Sequence, residues 1–355
     1  MDFLTDAAPK IVFAFWLGVV VVAMTVVMLT VILAMRQVMM RKERNHQRAA
    51  EAWQTILVSA DAGAPVKAPS LPRRDVSGFL EVWNQLHAAH SGTNADGLLR
   101  VAKAVGLDQH LFRALGHGGF HNQVVAIIAL GHLRNPDHFA LVARFLDNKS
   151  PIVSLCAARA LMQIDPSSAV SMFVPQIVRR SDWSQGGIAA ILQETNTPQM
   201  SKELSQATLQ ANADVAPRLV RFLAGVSPEE AAPVIRTILA SEADDHLIST
   251  CLQVMSSPAD LVSVRPLLLH PRWHVRMQAA ATIGRLGVPG DERLLVDMLS
   301  DEHWWVRYRT AQGLLKLPFL DEPNVRRIRD EHADHFARDI LDHVLAERAL
   351  GGAHA

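Results

Sequence analysis

Sixteen histidines in a chain of 355 residues are the side chains best able to do chemistry here, because imidazole titrates near neutrality and ligates metals. Three groups of them have suggestive spacing. His117 and His121 stand one helical turn apart, yet Gly118 and Gly119 separate them and weaken the rigid pair a zinc site would use. His270 and His274 flank Pro271 and Trp273 in a turn. Glu331, His332, Asp334, His335 and Asp339 gather near the C-terminus, with His335 and Asp339 on one helical face. A metal centre needs three or four convergent ligands, and no group specifies them. They read as solvated polar faces, and no metal or other cofactor is expected. Cys156 and Cys251 fall in apolar stretches and read as inert, reduced thiols. The phosphate-loop, dinucleotide-binding, nucleophile-elbow and zinc-protease motifs are absent, so the chain is not expected to be an enzyme, and no small-molecule substrate is evident.

A different kind of chemistry is offered by His303, Trp304, Trp305, Arg307, Tyr308 and Arg309, the most unusual local composition in the chain. Tryptophan, tyrosine and arginine concentrate at the energetic centres of protein interfaces. Arg272, Trp273 and Arg276 lie one structural unit earlier. Together, Arg272, Trp273, Arg276, Trp304, Trp305, Arg307 and Arg309 form a candidate partner-binding patch. The competing reading packs Trp305 between units and ties the arginines to turn carboxylates. A nucleic-acid partner is not expected: 35 basic residues balance 35 acidic ones, without the basic excess such a surface needs.

The elements that must position these residues are helical. Aromatics make up 6% of the chain and Leu, Ala and Val dominate, a composition that favours helix over sheet. Segments opening at Asn122, Val153, Ser184, Val215, His246, Val275 and Val306 stack on one another, 31 residues apart except for one interval of 29. Their ninth positions are Leu130, Leu161, Leu192, Leu223, Val254, Ile283 and Leu314. Three residues earlier stand Ile127, Ala158, Ala189, Val220, Cys251, Ala280 and Ala311. Such a pair lies on one helix face, so each segment is a helix with a buried stripe. Prolines at 136, 166, 198, 228, 258, 289 and 318 repeat the period. Asn135, Asp165, Thr197, Ser227 and Ser257 precede the first five, which is a capping residue before proline at the first helical position. Each such helix is expected to run about a dozen residues. Val288 and Leu317 break the pattern, and in the last unit the cap is expected at Asp321, ahead of Pro323. Each unit is thus a helical hairpin, and neither helix can bury its stripe without neighbours.

The repeat resembles the HEAT family in the short-unit form also found in bacteria. The segments LSDEHWWVRYRTAQGLLKL (299–317) and LHPRWHVRMQAAATIGRLG (269–287) carry the likeness. That family places an acidic residue in the inter-helix turn and a Val-Arg pair at the start of the second helix. Asp301, Val306 and Arg307 fit. Val275 and Arg276 fit with His270 in place of the acid, and Asp147 and Val153 fit with Ser154 in place of arginine. The units from Ser184 to Ser257 carry neither mark. The resemblance covers roughly 107–317 and implies a scaffold that binds a protein partner. It further implies bacterial inner-membrane company, an envelope-polysaccharide glycosyltransferase being one such partner. Some HEAT-like proteins are lyases, so an enzyme or cofactor-handling role is the alternative the family leaves open.

Ile11 to Met35 is a run of 25 residues without a charge. As a helix it measures about 37 Å against a hydrocarbon core of about 30 Å. It is far longer than the apolar core of a signal peptide, and its N-terminal flank carries Asp2 and Asp6 against Lys10. Arg36, Arg41, Lys42, Arg44 and Arg48 follow it, which places the N-terminus outside and the rest of the chain in the cytoplasm. The expected plan is all-α: an external tail at 1–10, a transmembrane helix at 11–35, a basic juxtamembrane helix at 36–60 and a Pro-rich linker at 61–75. A helical cap follows at 76–120, then about seven HEAT-like hairpins forming an α-solenoid at 121–320, and capping helices at 321–355. The expected role is a single-pass, inner-membrane scaffold for a membrane-associated protein. In an alternative, the transmembrane helix itself does the binding.

Overall fold

The computed structural model describes the backbone of residues 7–64, 67–89, 96–117 and 119–352. The side chains of 7–15, 42, 117, 351 and 352 also lie outside the described set, and with them the tail 1–6, Lys10, Lys42 and the imidazole of His117. Among the described residues every regular element is helical. The first five helices are α1 (Ala7–Asp61), α2 (Val76–Ala89), α3 (Asp96–Ala104), α4 (Leu107–His117) and α5 (Phe120–Leu133). Next come α6 (Phe139–Ala143), α7 (Pro151–Ile164), α8 (Pro166–Arg179), α9 (Gln185–Glu194), α10 (Pro198–Gln210), α11 (Ala216–Val226) and α12 (Pro228–Leu239). The chain finishes with α13 (Asp245–Val254), α14 (Leu261–Val264), α15 (Trp273–Leu286), α16 (Asp291–Met298), α17 (Trp304–Leu314), α18 (Glu322–Glu331) and α19 (His335–Gly352). They fall into two compact units, Met1–Ala160 and Leu161–Ala355.

In the second unit the helices alternate between two layers. Helices α8, α10 and α12 pack in sequence on one side; α9, α11, α13, α15, α17 and α19 pack in sequence on the other, each touching its counterpart in the next hairpin. This is the arrangement of an α-solenoid, in which every hairpin buries its stripe against its neighbours. The ninth-position ladder is its core. Leu192, Leu223, Ile283 and Leu314 are all buried. The exception is α13, where Val254 is only half-buried and Leu252 takes the core position. The register expected from the sequence is therefore two residues off in that hairpin, and the short interval lies before α13 rather than after it.

Side-chain caps set the helix starts. The side chains of Asn135, Asp165, Thr197, Ser227, Ser257 and Asp321 each accept from a backbone N–H of the following turn. The helices begun by Pro136 and Pro258 do not run a dozen α-helical residues. Both open as 3-10 turns, Pro136–His138 and Pro258–Asp260. After α14 the chain tightens into a second 3-10 stretch, Arg265–Leu269, because Pro266 has no N–H to continue the α-helix. At Val288–Asp291 the break has a specific cause. Gly290 sits at φ 106°, a conformation that favours glycine, and Asp291 begins α16. Its buried carboxylate accepts from Val288 N–H at 2.9 Å and pairs with Arg265 at 2.7 Å.

In the first unit α1 runs unbroken for 55 residues. Its apolar stretch is long enough to cross a membrane, and the described part of it is exposed. Thr25 and Thr30 donate to the carbonyls of Val21 and Val26, so neither hydroxyl is left unpaired in an apolar setting. Beyond the basic flank, Ala49, Trp53, Leu57 and Ala60 are buried where α1 meets α2 and α3. Trp53 meets Phe79 edge-on at 5.0 Å. Gly97 permits the approach of α3: a Cβ there would stand 1.8 Å from the carbonyl oxygen of Ala60. Residues 61–75, expected as a linker, thus join helices that pack on one another.

The same unit holds a ring stack. His87 lies 4.1 Å from Trp83 and 5.1 Å from His132, nearly parallel to the latter. Burial, with help from Arg159 and Arg134, pushes His132 down to about 4. An unfolded histidine titrates near 6.5. Between those pH values the unfolded chain takes up a proton that the folded chain refuses, so stability falls as pH drops from 6.5 to about 4. The slope from this one group reaches about 1.4 kcal/mol per pH unit. The unfolding midpoint of the native chain should fall relative to that of His132→Phe as pH drops across this range, and parallel curves would contradict the assignment.

Candidate functional site

The Arg272–Arg309 patch separates into three parts in the structure. The first is a set of structural pins. Arg276 is buried and makes a bidentate pair with Asp301 of the next turn, at 2.7 and 3.0 Å, while donating to the carbonyls of His270 and Pro271. Arg307 donates to the carbonyls of Asp301 and Glu302 and lies 5.6 Å over the ring of Phe336. Arg338 repeats the arrangement with His332 and Ala333. Each of these three arginines, 31 residues apart, donates to carbonyls of the turn before its own helix, and Arg276 and Arg307 also reach the next turn. The guanidinium groups of Arg276 and Arg307, both placed in the candidate patch by the sequence, are used inside the chain.

The turns reveal what replaces the acid. Asp301 accepts from the N–H of His303 at 2.8 Å. His270 Nδ1 accepts from Arg272 N–H, and His332 Nδ1 from Asp334 N–H, both at 3.2 Å. Imidazole thus does the carboxylate's work as a local acceptor. In the earlier unit the same contact is made by Asn148, which accepts from Ser150 N–H at 2.9 Å and stands next to Asp147, the residue the family pattern points to. Among the histidine groups, His270, Arg272 and His274 surround Asp245, and His335 lies against Phe336. No group of three or more potential metal ligands forms among the described residues.

The second part is an exposed aromatic edge at the N-termini of α15, α17 and α19. Trp273 stacks on His303 at 4.1 Å, nearly coplanar. Trp304 stacks on Tyr308 at 5.0 Å and meets Trp305 edge-on. The Tyr308 hydroxyl donates to Glu347 at 2.9 Å, and this bond holds its pKa above the ordinary value. Trp304, Trp305 and Phe336 are 42%, 51% and 56% exposed, so Trp305 is not packed between hairpins. Positions 273, 304 and 335, and 274, 305 and 336, recur at the repeat spacing, which makes the edge a ladder of rings. Arg272 stands beside it, mostly exposed, 3.3 Å from Asp245.

The third part is Arg309, which points away from this edge into a cleft with Lys316. Sequence reasoning missed that cleft, the role of Arg338 and the histidine acceptors. Extending the 31-residue register by one step, from Val306 to Ala337, was the signal for the latter two: it places Leu345 in the buried ninth position and makes α18 and α19 a further hairpin.

No family model matches the chain, and no curated protein sequence matches it. Among solved structures, the crystal structure of Kap121p aligns over 82% of this chain and 37% of its own length, at 11% identity and a TM-score of 0.45. An engineered protein aligns over 84% of this chain and 94% of its own, at 16% identity and a TM-score of 0.28. The chain therefore spans little more than a third of the first of these. At such values neither similarity bears on function, and the α-solenoid assignment rests on the helix layers themselves.

Arg276→Ala should lower unfolding stability by about 3–5 kcal/mol, because it strands a buried carboxylate. Arg272→Ala, at an exposed pair, should change it by less than about 0.5 kcal/mol. Denaturant titration of the two variants distinguishes a pin from a surface contact; equal effects would contradict the division made above.

Proposed function

We propose that this protein is a membrane-tethered, HEAT-type scaffold that holds a protein partner on the aromatic edge of its last three hairpins. The observation that carries the reading is the ladder of exposed rings. Burying a large indole surface on a rigid, pre-stacked platform provides much of the energy of protein association at little cost in side-chain freedom. Arg276, Arg307 and Arg338 fix the turns from which the rings project, so the platform is in place before a partner arrives.

The apolar run of α1, followed by Arg36, Arg41, Lys42, Arg44 and Arg48, supports a single span in an inner membrane with the hairpins on the cytoplasmic side. A tether of this kind confines encounters to the membrane plane and raises the effective concentration of a membrane-associated partner. In this reading the chain itself catalyses nothing, and envelope-polysaccharide glycosyltransferase complexes are one setting in which such a scaffold would serve.

The test is purification of the full chain in mild detergent with identification of co-purifying proteins, compared with a Trp304→Ala/Trp305→Ala variant. The expected result is a stably recovered membrane-associated partner that is lost from the variant while its melting temperature and membrane insertion are kept. Undiminished recovery with the variant would refute the aromatic edge. Loss caused instead by replacing 11–35 with an unrelated apolar helix would shift the binding role to the membrane span.

A further inference from the structure

Two open clefts of about 450 and 440 Å³ lie side by side on the second-helix layer of the C-terminal unit. The first is lined by Gln253 of α13, Gln278, Ala281 and Arg285 of α15, and Arg309 and Lys316 of the α17 hairpin. The second shares Lys316 and adds Gln312, Leu315, Val344, Glu347 and Arg348. The groove they form shares no residue with the aromatic edge. It holds four cations and one acid, in a chain whose net charge is zero.

The acid is already engaged: Glu347 accepts from the Tyr308 hydroxyl and lies 3.2 Å from His343. Arg285 donates to the carbonyls of Leu252 and Met255, and Arg348 donates to that of Leu315. Arg309 meets the amide oxygen of Gln312 at 3.0 Å. All of these acceptors are neutral, and among the described residues no carboxylate forms an ion pair with Arg285, Arg309, Lys316 or Arg348. Arg265 and Arg276 of the same unit meet carboxylates, whereas Arg307 and Arg338, like the groove's arginines, meet carbonyls, but away from this cleft. Burial holds Arg285 below the ordinary guanidinium value with no anion to offset it. A concave row of uncompensated cations attracts negative charge and strengthens its interaction with whatever excludes water from the cleft.

We propose that this groove binds an extended acidic segment of a protein partner. Arg309 and Lys316 would pair with its carboxylates, and Gln253, Gln278 and Gln312 would bond its backbone. A glutamine amide offers both a donor and an acceptor, which is what the peptide groups of an unpaired extended strand require. A nucleic-acid strand fits less well: no aromatic ring lines either cleft to stack a base. From α13 to α19 the groove crosses three helix-to-helix steps of about 8–10 Å, a length that about eight or nine extended residues would span.

The test uses the full chain in detergent micelles and fluorescence anisotropy of labelled nonapeptides, one alternating Glu and Ser, the other alternating Gln and Ser. The acidic peptide should bind and the neutral one should not, with affinity falling as salt rises. Arg309→Glu/Lys316→Glu should weaken binding by about tenfold or more. Lys202→Glu, an exposed change on α10, should leave it unaltered, with melting temperatures equal throughout. Equal binding of the neutral peptide, an unchanged affinity in the double reversal, or tighter binding of an oligothymidylate would each overturn the proposal. The Trp304→Ala/Trp305→Ala variant should keep its affinity for the acidic peptide, so failure of the aromatic-edge reading and failure of this one are separable. Loss of peptide binding in that variant would overturn the groove as a distinct site.

Discussion

The structure of the C-terminal unit depends on how closely adjacent second helices approach. At α15 and α17 the contact is backbone to backbone: a Cβ on Gly284 would stand 2.3 Å from the Cα of Gly313. Small residues elsewhere in the layer, Ala279, Ala280 and Ala311, are fully buried. A helix about 11 to 14 residues long is marginal alone, and each of these has one apolar stripe that only its neighbours cover. Close approach converts that stripe into packed contact, and stacking extends the core one hairpin at a time. The caps, the proline starts and the arginine pins all act to hold each hairpin at the angle and height that keeps this contact.

That constraint explains where the charge goes. Arg276 bridges two turns through Asp301, while Arg285 and Arg348 cap the carbonyl ends of preceding second helices. Positive side chains at helix C-termini satisfy orphan carbonyls and oppose the helix dipole. The cations and rings left over then acquire meaning. The indoles of Trp304 and Trp305 are more exposed than a monomeric surface needs, and Arg309 and Lys316 face an open cleft without an anion. The proposed contacts with partners begin from these residues because the fold does not consume them.

Much of this was legible in the residues. The five cap-proline pairs and Asp321 could be read directly, since a side-chain cap followed by proline has one local solution. The ninth-position ladder was equally plain wherever the period held. It slipped at α13 because Leu252 and Val254 are both aliphatic, so hydrophobicity alone could not choose between registers two apart; contact with Thr282, whose hydroxyl donates to the Leu252 carbonyl, fixes the choice. His270 departs from the acidic turn residue in type, yet its ring nitrogen supplies the same acceptor. Asn148, which accepts from Ser150 N–H, is masked in the sequence by the charged Asp147 beside it. The docking of α1 on α2 and α3 was hidden because its evidence is the absence of side chains, at Gly78 and Gly97. Of the binding patch, the exposed rings were legible from composition, but whether an arginine points into a turn or a cleft is decided by packing.

Hydrogen exchange followed by mass spectrometry on Gly284→Ala tests the nearest-neighbour character of this unit most directly. The added methyl forces α15 and α17 apart. The account predicts loss of amide protection centred on those two helices, spreading to α13 and α19 and leaving α8–α10 as in the native chain. A uniform loss from Leu161 to Gly352, as for one globular core, or no loss at all, would contradict it.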